Sequence, residues 1–214
     1  MIKVSPSMLA CDFTKYGAEI EKITNAGAEY VHLDIMDGVF VPNLSFGLPL
    51  VEAARKVTNA VLDVHLMIVE PERYIEQFAA AGADFIVFHY EATNNHDEVI
   101  DKIHSLGKKA GMSIKPGTPT FVLEPFMKKL DLVLIMSVEP GFGGQKLMPE
   151  TIDKVAEVKQ MREVLGADFE IEIDGGITSE NAYLAKDAGV DVIVAGSAVF
   201  KAENPAEVIA LLKE

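Results

Sequence analysis

Short apolar runs recur along the chain, and the same punctuation precedes them. Ala26-Gly27-Ala28-Glu29 leads into residues 30–36, Ala81-Gly82-Ala83-Asp84 into 85–89, Gly166-Ala167-Asp168 into 169–174, and Ala188-Gly189-Val190-Asp191 into 192–195. Each unit reads as helix, glycine, acidic residue, strand, with the glycine in the left-handed conformation that ends a helix. Gly82 and Gly107 stand 25 residues apart, and Gly166 and Gly189 stand 23 apart, the length of one strand plus one helix. The apolar runs predict eight strands, at 2–8, 30–36, 60–67, 84–89, 109–114, 132–137, 169–174 and 192–195. Helical spacing of apolar residues, such as Val99, Ile100 and Ile103, predicts helices at 15–25, 48–57, 71–81, 96–106, 151–165, 179–188 and 205–212, with a short piece around 121–130. Pro71 suits a first helical turn, and Thr178 or Ser179 suits an N-cap. Eight strands, each followed by a helix, argue for an α/β protein with a (β/α)₈ barrel rather than an open sheet. At 214 residues the loops must be minimal, and one barrel domain is expected over 1–214.

Three strands break the apolar rule on one face. Side chains alternate along a strand, so Val31, Leu33 and Ile35 share one face and His32, Asp34 and Met36 the other. Asp63, His65 and Met67 share a face in the same way, and Glu170, Glu172 and Asp174 stand opposite two isoleucines. A strand covered on both sides should be apolar throughout. Convergence of these three polar faces would build a site.

Composition narrows what that site serves. The chain is 49% hydrophobic and 24% charged, with ample material for a core, and its net charge is −14 with a pI near 4.8. Binding nucleic acid requires phosphate neutralisation by cations, so the charge argues against a polyanionic partner, and far less against a small phosphorylated ligand held by backbone N–H groups. The single Cys11 rules out an internal disulfide and reads as a small buried hydrophobe. The first residues lack a charged stretch followed by an apolar one, and no apolar run reaches membrane-spanning length. A soluble, cytoplasmic protein without a membrane partner is the expectation.

In a barrel of this kind the active site lies at the C-terminal ends of the strands. Asp34, His65 and Asp174 fall at or near such ends, with His32 one inward position deeper. A lone buried histidine is as a rule a hydrogen-bonded core residue. Two histidines and two aspartates on three strands, with no cation nearby in those strands, point instead to a divalent ion such as Zn²⁺, Fe²⁺, Mn²⁺ or Co²⁺. Met36, Met67 and Met136 end strands two, three and six; they read as core filler or, at their shared height, as an apolar wall facing a substrate. Ser7 is placed to bond either a sugar hydroxyl or backbone. His96 and His104 read as surface residues, and His89 is given no role.

Glycine-rich loops follow three consecutive strands: Pro140-Gly141-Phe142-Gly143-Gly144-Gln145, Asp174-Gly175-Gly176-Ile177-Thr178 and Ala195-Gly196-Ser197-Ala198-Val199-Phe200. Such loops let backbone N–H groups approach an anion, and loops seven and eight often hold phosphate in this fold. Loop six has the length and glycines of a lid. Metal and phosphate sites side by side suggest a phosphorylated substrate whose oxygens meet the cation. Carboxylates on opposite sides of a planar intermediate would invert a stereocentre next to a carbonyl.

These residues together resemble a known family. The stretch His32 to Gly38 with Phe40-Val41-Pro42-Asn43, then Asp63-Val64-His65-Leu66-Met67 and the three glycine loops, is similar to ribulose-phosphate 3-epimerase, from Ser5 to about Phe200. The resemblance implies interconversion of D-ribulose 5-phosphate and D-xylulose 5-phosphate in the pentose phosphate pathway. It implies one divalent ion per subunit, Zn²⁺ foremost, on His32, Asp34, His65 and Asp174, with Asp34 and Asp174 as the acid–base pair. It also implies substrate contacts from Ser7, His65, Gly141, Phe142, Gly143, Gly144, Gly175, Gly176, Gly196 and Ser197, with Met36, Met67 and Met136 lining the pocket. Homo-oligomers, dimers or hexamers, are implied as well. Val39 stands where some relatives carry histidine. Three rival readings are an epimerase of a six-carbon ketose phosphate, a lyase or decarboxylase of the same barrel type, and a non-catalytic phosphosugar sensor. The lyases lean on a lysine, and strands two, three and seven have none facing inward.

Overall fold

The computed structural model describes residues 1–214. Eight parallel strands run in the order β1-β8-β7-β6-β5-β4-β3-β2: β1 Lys3–Pro6, β2 Tyr30–Met36, β3 Val61–Met67, β4 Phe85–His89, β5 Lys109–Ile114, β6 Leu132–Met136, β7 Glu170–Asp174 and β8 Val192–Ala195. A single parallel bridge, Ser7 to His32, joins the two ends of the sheet and brings the barrel close to closure. Outside it lie α1 Tyr16–Asn25, α2 Leu48–Val57, α3 Ile75–Ala81, α4 His96–Ser105, α5 Thr151–Leu165, α6 Ala182–Ala188, α7 Ser197–Phe200 and α8 Pro205–Lys213. No helix is long and apolar enough to cross a membrane.

The alternation read from the sequence sorts the apolar residues into two layers. Val31, Leu33, Ile35, Val64, Leu66, Ile171 and Ile173 point outward into the large core between strands and helices. Phe85, Val87, Leu132, Leu134, Met136 and Val192 line the barrel's inner side with Tyr30. The inner wall is therefore apolar where β6, β8 and the first part of β4 contribute and polar where β2, β3, β7 and the end of β4 do.

The acidic residue immediately before a strand has a structural task at four places, three of them in the repeated punctuation and the fourth Asp131, ahead of β6. Asp84 Oδ2 accepts the N–H of Leu62 on the neighbouring strand at 2.8 Å, and Arg55 of α2 donates to the same oxygen at 2.8 Å. Asp191 takes the N–H of Ile171 and pairs with Arg162 of α5. Asp131 takes the N–H of Ala110 and faces His104 of α4. Glu29 takes the N–H of Val4 and pairs with Lys213 of α8. Each carboxylate thus covers a backbone donor at the start of a strand and ties that strand to a helix.

Several boundaries differ from the expectation for local reasons. The first strand stops at Pro6, because the Ser7 hydroxyl caps a 3₁₀ turn, Met8–Ala10, by accepting the N–H of Leu9. The helix expected over 71–81 splits into a 3₁₀ turn, Pro71–Arg73, and α3. The piece expected at 121–130 is a 3₁₀ turn, Thr120–Leu123, followed by further turns. α6 begins at Ala182 rather than 179 and has no side-chain cap. Its would-be cap region is spent on the preceding loop, where Asn181 accepts from the N–H of Thr178 and donates to the carbonyl of Gly176. Cys11 is half-buried, and burial together with nearby Glu19 and Asp12 pushes its thiol up to about 11.

Candidate active site

The three carboxylates of β7 meet three different environments along the barrel axis. Glu170, at the N-terminal end, lies 2.5 Å from Lys3 Nζ and accepts from the Tyr30 hydroxyl at 2.8 Å. Glu172, one inward position higher, is fully buried, and neither carboxyl oxygen has a partner. Burial, reinforced by the negative charge of Asp63, raises its pKa well above the ordinary carboxylate value. Asp174 ends the strand and reaches the cavity.

Around Asp174 the structure gathers His32, Asp34 and His65, with the donor atoms of all four within 4.8 Å of one another. Nε2 of His32 stands 3.2 Å from Asp34 Oδ1 and 3.9 Å from Asp174 Oδ2, while Nδ1 of His65 stands 3.2 Å from Asp34 Oδ1. Both histidines are fully buried, and Nε2 of His32 has no hydrogen-bond partner. An orphaned, buried nitrogen aimed between two carboxylates fits a cation. Two imidazoles and two carboxylates also suit a divalent ion of borderline hardness.

Electrostatics divide the two aspartates. Burial disfavours charge on Asp34, yet the adjoining His32 and His65 hold its carboxyl well below the usual range. For Asp174, burial and the charge of Asp34 add, lifting its pKa to about 6. Burial likewise disfavours an imidazolium at His32, but Asp34 and Asp63 overcome it and raise its pKa well above 6.5. Asp63 is the partner that orients this ring: its Oδ2 lies 2.5 Å from His32 Nδ1 and leaves Nε2 facing Asp34.

Above the four donors opens a cavity of about 920 Å³. Of the residues expected there, Ser7, Met36, Met67, Met136, Gly141, Phe142, Gly143, Gly144, Gly175, Gly176, Gly196 and Ser197 all line it; His32 and His65 lie buried beneath its floor. The Ser7 hydroxyl donates to Asp34 Oδ2 at 2.6 Å, a partner the sequence reading did not name. Lys146, Lys201, Asn43 and Leu9 also line the cavity and were not foreseen.

Hydrogen bonds to side chains and backbone fix the glycine loops. Ser137 Oγ donates to the carbonyl of Gly175, and Gln145 folds loop six back on itself by donating to the carbonyls of Glu139 and Phe142. Asn43 of the second loop donates to the carbonyl of Gly141 at 2.8 Å and couples two sides of the mouth. Gly176 has φ +67°, and a Cβ there would stand 2.2 Å from the backbone nitrogen of Leu147, so only glycine allows loops six and seven to pack together.

Two histidines depart from their expected roles. His89 is fully buried, with Nε2 at 2.9 Å from His65 Nε2. His96 is half-buried, stacked on Tyr90 with ring centroids 4.5 Å apart. His104 is on the surface, as expected.

Fold and site define a class: a (β/α)₈-barrel enzyme with a two-histidine, two-aspartate centre beneath glycine-built loops. Comparison with known proteins makes this specific. Residues 3–200 match the model of the ribulose-phosphate 3 epimerase family. The chain is 49% identical to a ribulose-phosphate 3-epimerase of Synechocystis over 98% of its length and 92% of the relative's. It is 46% identical to that of Schizosaccharomyces pombe over 99% and 92%. Among solved structures, KGPDC from Streptococcus mutans superposes with a TM-score of 0.72 at 14% identity, over 100% of this chain and 96% of that one. 3-Hexulose-6-phosphate synthase gives 0.69 at 17%, over 99% and 98%. At such low identity these structures speak for the barrel alone.

The chain belongs to the ribulose-phosphate 3-epimerase family. Its activity is epimerisation of a phosphorylated ketose, which makes it an isomerase.

Proposed function

We propose that the chain, acting as one domain, interconverts D-ribulose 5-phosphate and D-xylulose 5-phosphate by moving a proton at C3 between Asp34 and Asp174. The observation that carries this reading is the placement of the two carboxylates on β2 and β7, both reaching the cavity, with Nε2 of His32 between them. One carboxylate removes the C3 proton from one face, and the other returns a proton to the opposite face. Ser7, donating to Asp34, holds that carboxylate in orientation. His32, Asp34, His65 and Asp174 would hold the divalent ion, with Zn²⁺ first among Zn²⁺, Fe²⁺, Mn²⁺ and Co²⁺. When bound, such an ion supplies positive charge to the sugar oxygens as they become negative in the enediolate. Met36, Met67 and Met136 keep water from that intermediate. The backbone at Gly175, Gly176, Gly196 and Ser197 receives the phosphate, with Gly141 to Gly144 closing over it and Lys146 and Lys201 offsetting local negative charge. The same reading has the enzyme serve the pentose phosphate pathway in the cytoplasm as a homo-oligomer, a dimer or a hexamer.

Proton NMR of D-ribulose 5-phosphate with metal-replete protein in D₂O tests the reaction. Xylulose 5-phosphate deuterated at C3 is the expected product. Binding without exchange or product would favour the sensor, and no binding would direct attention to six-carbon ketose phosphates.

Two further results are expected. A carboxylate at the phosphate end, introduced by Ser197→Asp, repels the dianion and raises KM by at least about tenfold; an unchanged KM in steady-state assays moves the phosphate elsewhere. The second concerns pH. A pKa of about 6 at Asp174 means that below that pH the site holds a proton which an incoming cation must displace. Protonation of Asp174, and of His32, whose pKa stands well above 6.5, opposes binding, so affinity for Mn²⁺ weakens as pH falls from 8 and more steeply below about 6. Calorimetric titrations between pH 5 and 8, in buffers of different ionisation enthalpy, report both the affinity and the released protons. An affinity independent of pH would contradict the assignment of Asp174 as a ligand.

A further inference from the structure

His89 and Glu91 come from the end of β4 and the turn after it, a part of the barrel that supplies none of the four proposed ligands. Resting on the metal reading above, we propose that His89, anchored by Glu91, is a positioning residue that keeps a proton on Nε2 of His65, so that Nδ1, the nitrogen toward Asp34, is the one a cation takes.

Hydrogen-bond direction carries the argument. Glu91 Oε2 lies 3.2 Å from His89 Nδ1, and a carboxylate only accepts, so Nδ1 of His89 bears the proton. The other nitrogen of the neutral ring, Nε2, is then an acceptor. It sits 2.9 Å from Nε2 of His65, which must donate. With one proton held on Nε2, the nitrogen of His65 left for a cation is Nδ1; until a cation arrives, Nδ1 donates to Asp34 Oδ1 at 3.2 Å. The reverse order would set a bare His89 Nδ1 against the lone pairs of Glu91 in a buried site, where an unmatched polar contact is costly. The relay is braced at its far end: Glu91 Oε1 accepts from the N–H of Lys115 at 2.9 Å and from the Thr118 hydroxyl. Phe40 packs on the His89 ring at 4.8 Å between centroids, and the Lys115 ammonium lies 3.9 Å from the Phe40 ring centre. The β4 and β5 loops thereby fix a ligand that β3 carries. Asp63 does the equivalent for His32, so each ligating histidine has its own orienting partner.

The test has two readouts, neither of them turnover. In ¹⁵N-histidine NMR of metal-free wild-type protein, the proton of the His65–His89 contact is expected on His65 Nε2, with His89 Nε2 bare; a bare His65 Nε2 overturns the proposal. In Mn²⁺ titrations followed by electron paramagnetic resonance, His89→Ala is expected to weaken binding by about 10- to 100-fold. His89→Gln, whose amide oxygen can accept from His65, should stay close to wild type. Wild-type affinity in a folded His89→Ala protein overturns the relay. Should wild-type protein take up no Mn²⁺, the metal reading fails, while the proton on Nε2 of His65 still decides whether the relay exists.

Discussion

Asp34→Asn is expected to lower kcat by about three to four orders of magnitude. Loss of a positioned acid or base removes roughly 10²- to 10⁴-fold on its own, and Asp34 also stands among the proposed ligands, 3.2 Å from both His32 and His65. The fold should survive, because asparagine keeps one oxygen to accept from Ser7. The more telling measurement compares it with Asp174→Asn. Each variant retains one carboxylate, so each should exchange the C3 hydrogen of one epimer only, with solvent deuterium returned to the same face and no inversion. Incubating each ketose phosphate separately with each variant in D₂O reads this out. A near-normal epimerisation rate in either variant removes that residue from the mechanism.

Stripping the cation is the second large effect. Dialysis against a chelator is expected to cut turnover by at least about 10²-fold, since an Asp34 carboxylate held below its ordinary range is a weak base for a carbon-bound proton. Adding back Mn²⁺, Co²⁺, Fe²⁺ or Zn²⁺ should restore activity. The stripped protein should also melt at a lower temperature, because an ion present at 100 times its Kd stabilises the native state by about 2.7 kcal/mol. Full activity in protein shown by elemental analysis to be metal-free would sink the role of the cation.

The period of two along strands decided how much was legible in advance. It placed His32, Asp34, His65 and Asp174 on inward faces, and the structure gathers them. Depth and partnership are a different matter. Asp63 and Glu172 share those faces, yet alternation does not reveal that one orients His32 while the other is buried without a hydrogen-bond partner, its pKa driven up. His89 was passed over because its strand is otherwise apolar. The signal was present all the same: Phe85 and Val87 face inward, so the residue two further on does too. Helix starts misled where a side chain had a better local use, as with Asn181 in its loop. Lys146 and Lys201 could not be foreseen, since their place depends on how loops fold over the barrel mouth rather than on any periodicity.

One arrangement bears on how the chain acquires its activity. The proposed donors come from β2 and β3, made early in synthesis, and from β7, made late, and a single bridge between Ser7 and His32 draws the sheet's ends together. A growing or truncated polypeptide that has completed its first six strands carries His32, Asp34 and His65 but no facing carboxylate. It lacks the full grip on a cation and the group needed to return a proton. On the proposed mechanism, competence arrives in one step, when the final quarter of the polypeptide docks, and a fragment ending before β7 is expected to turn over no substrate.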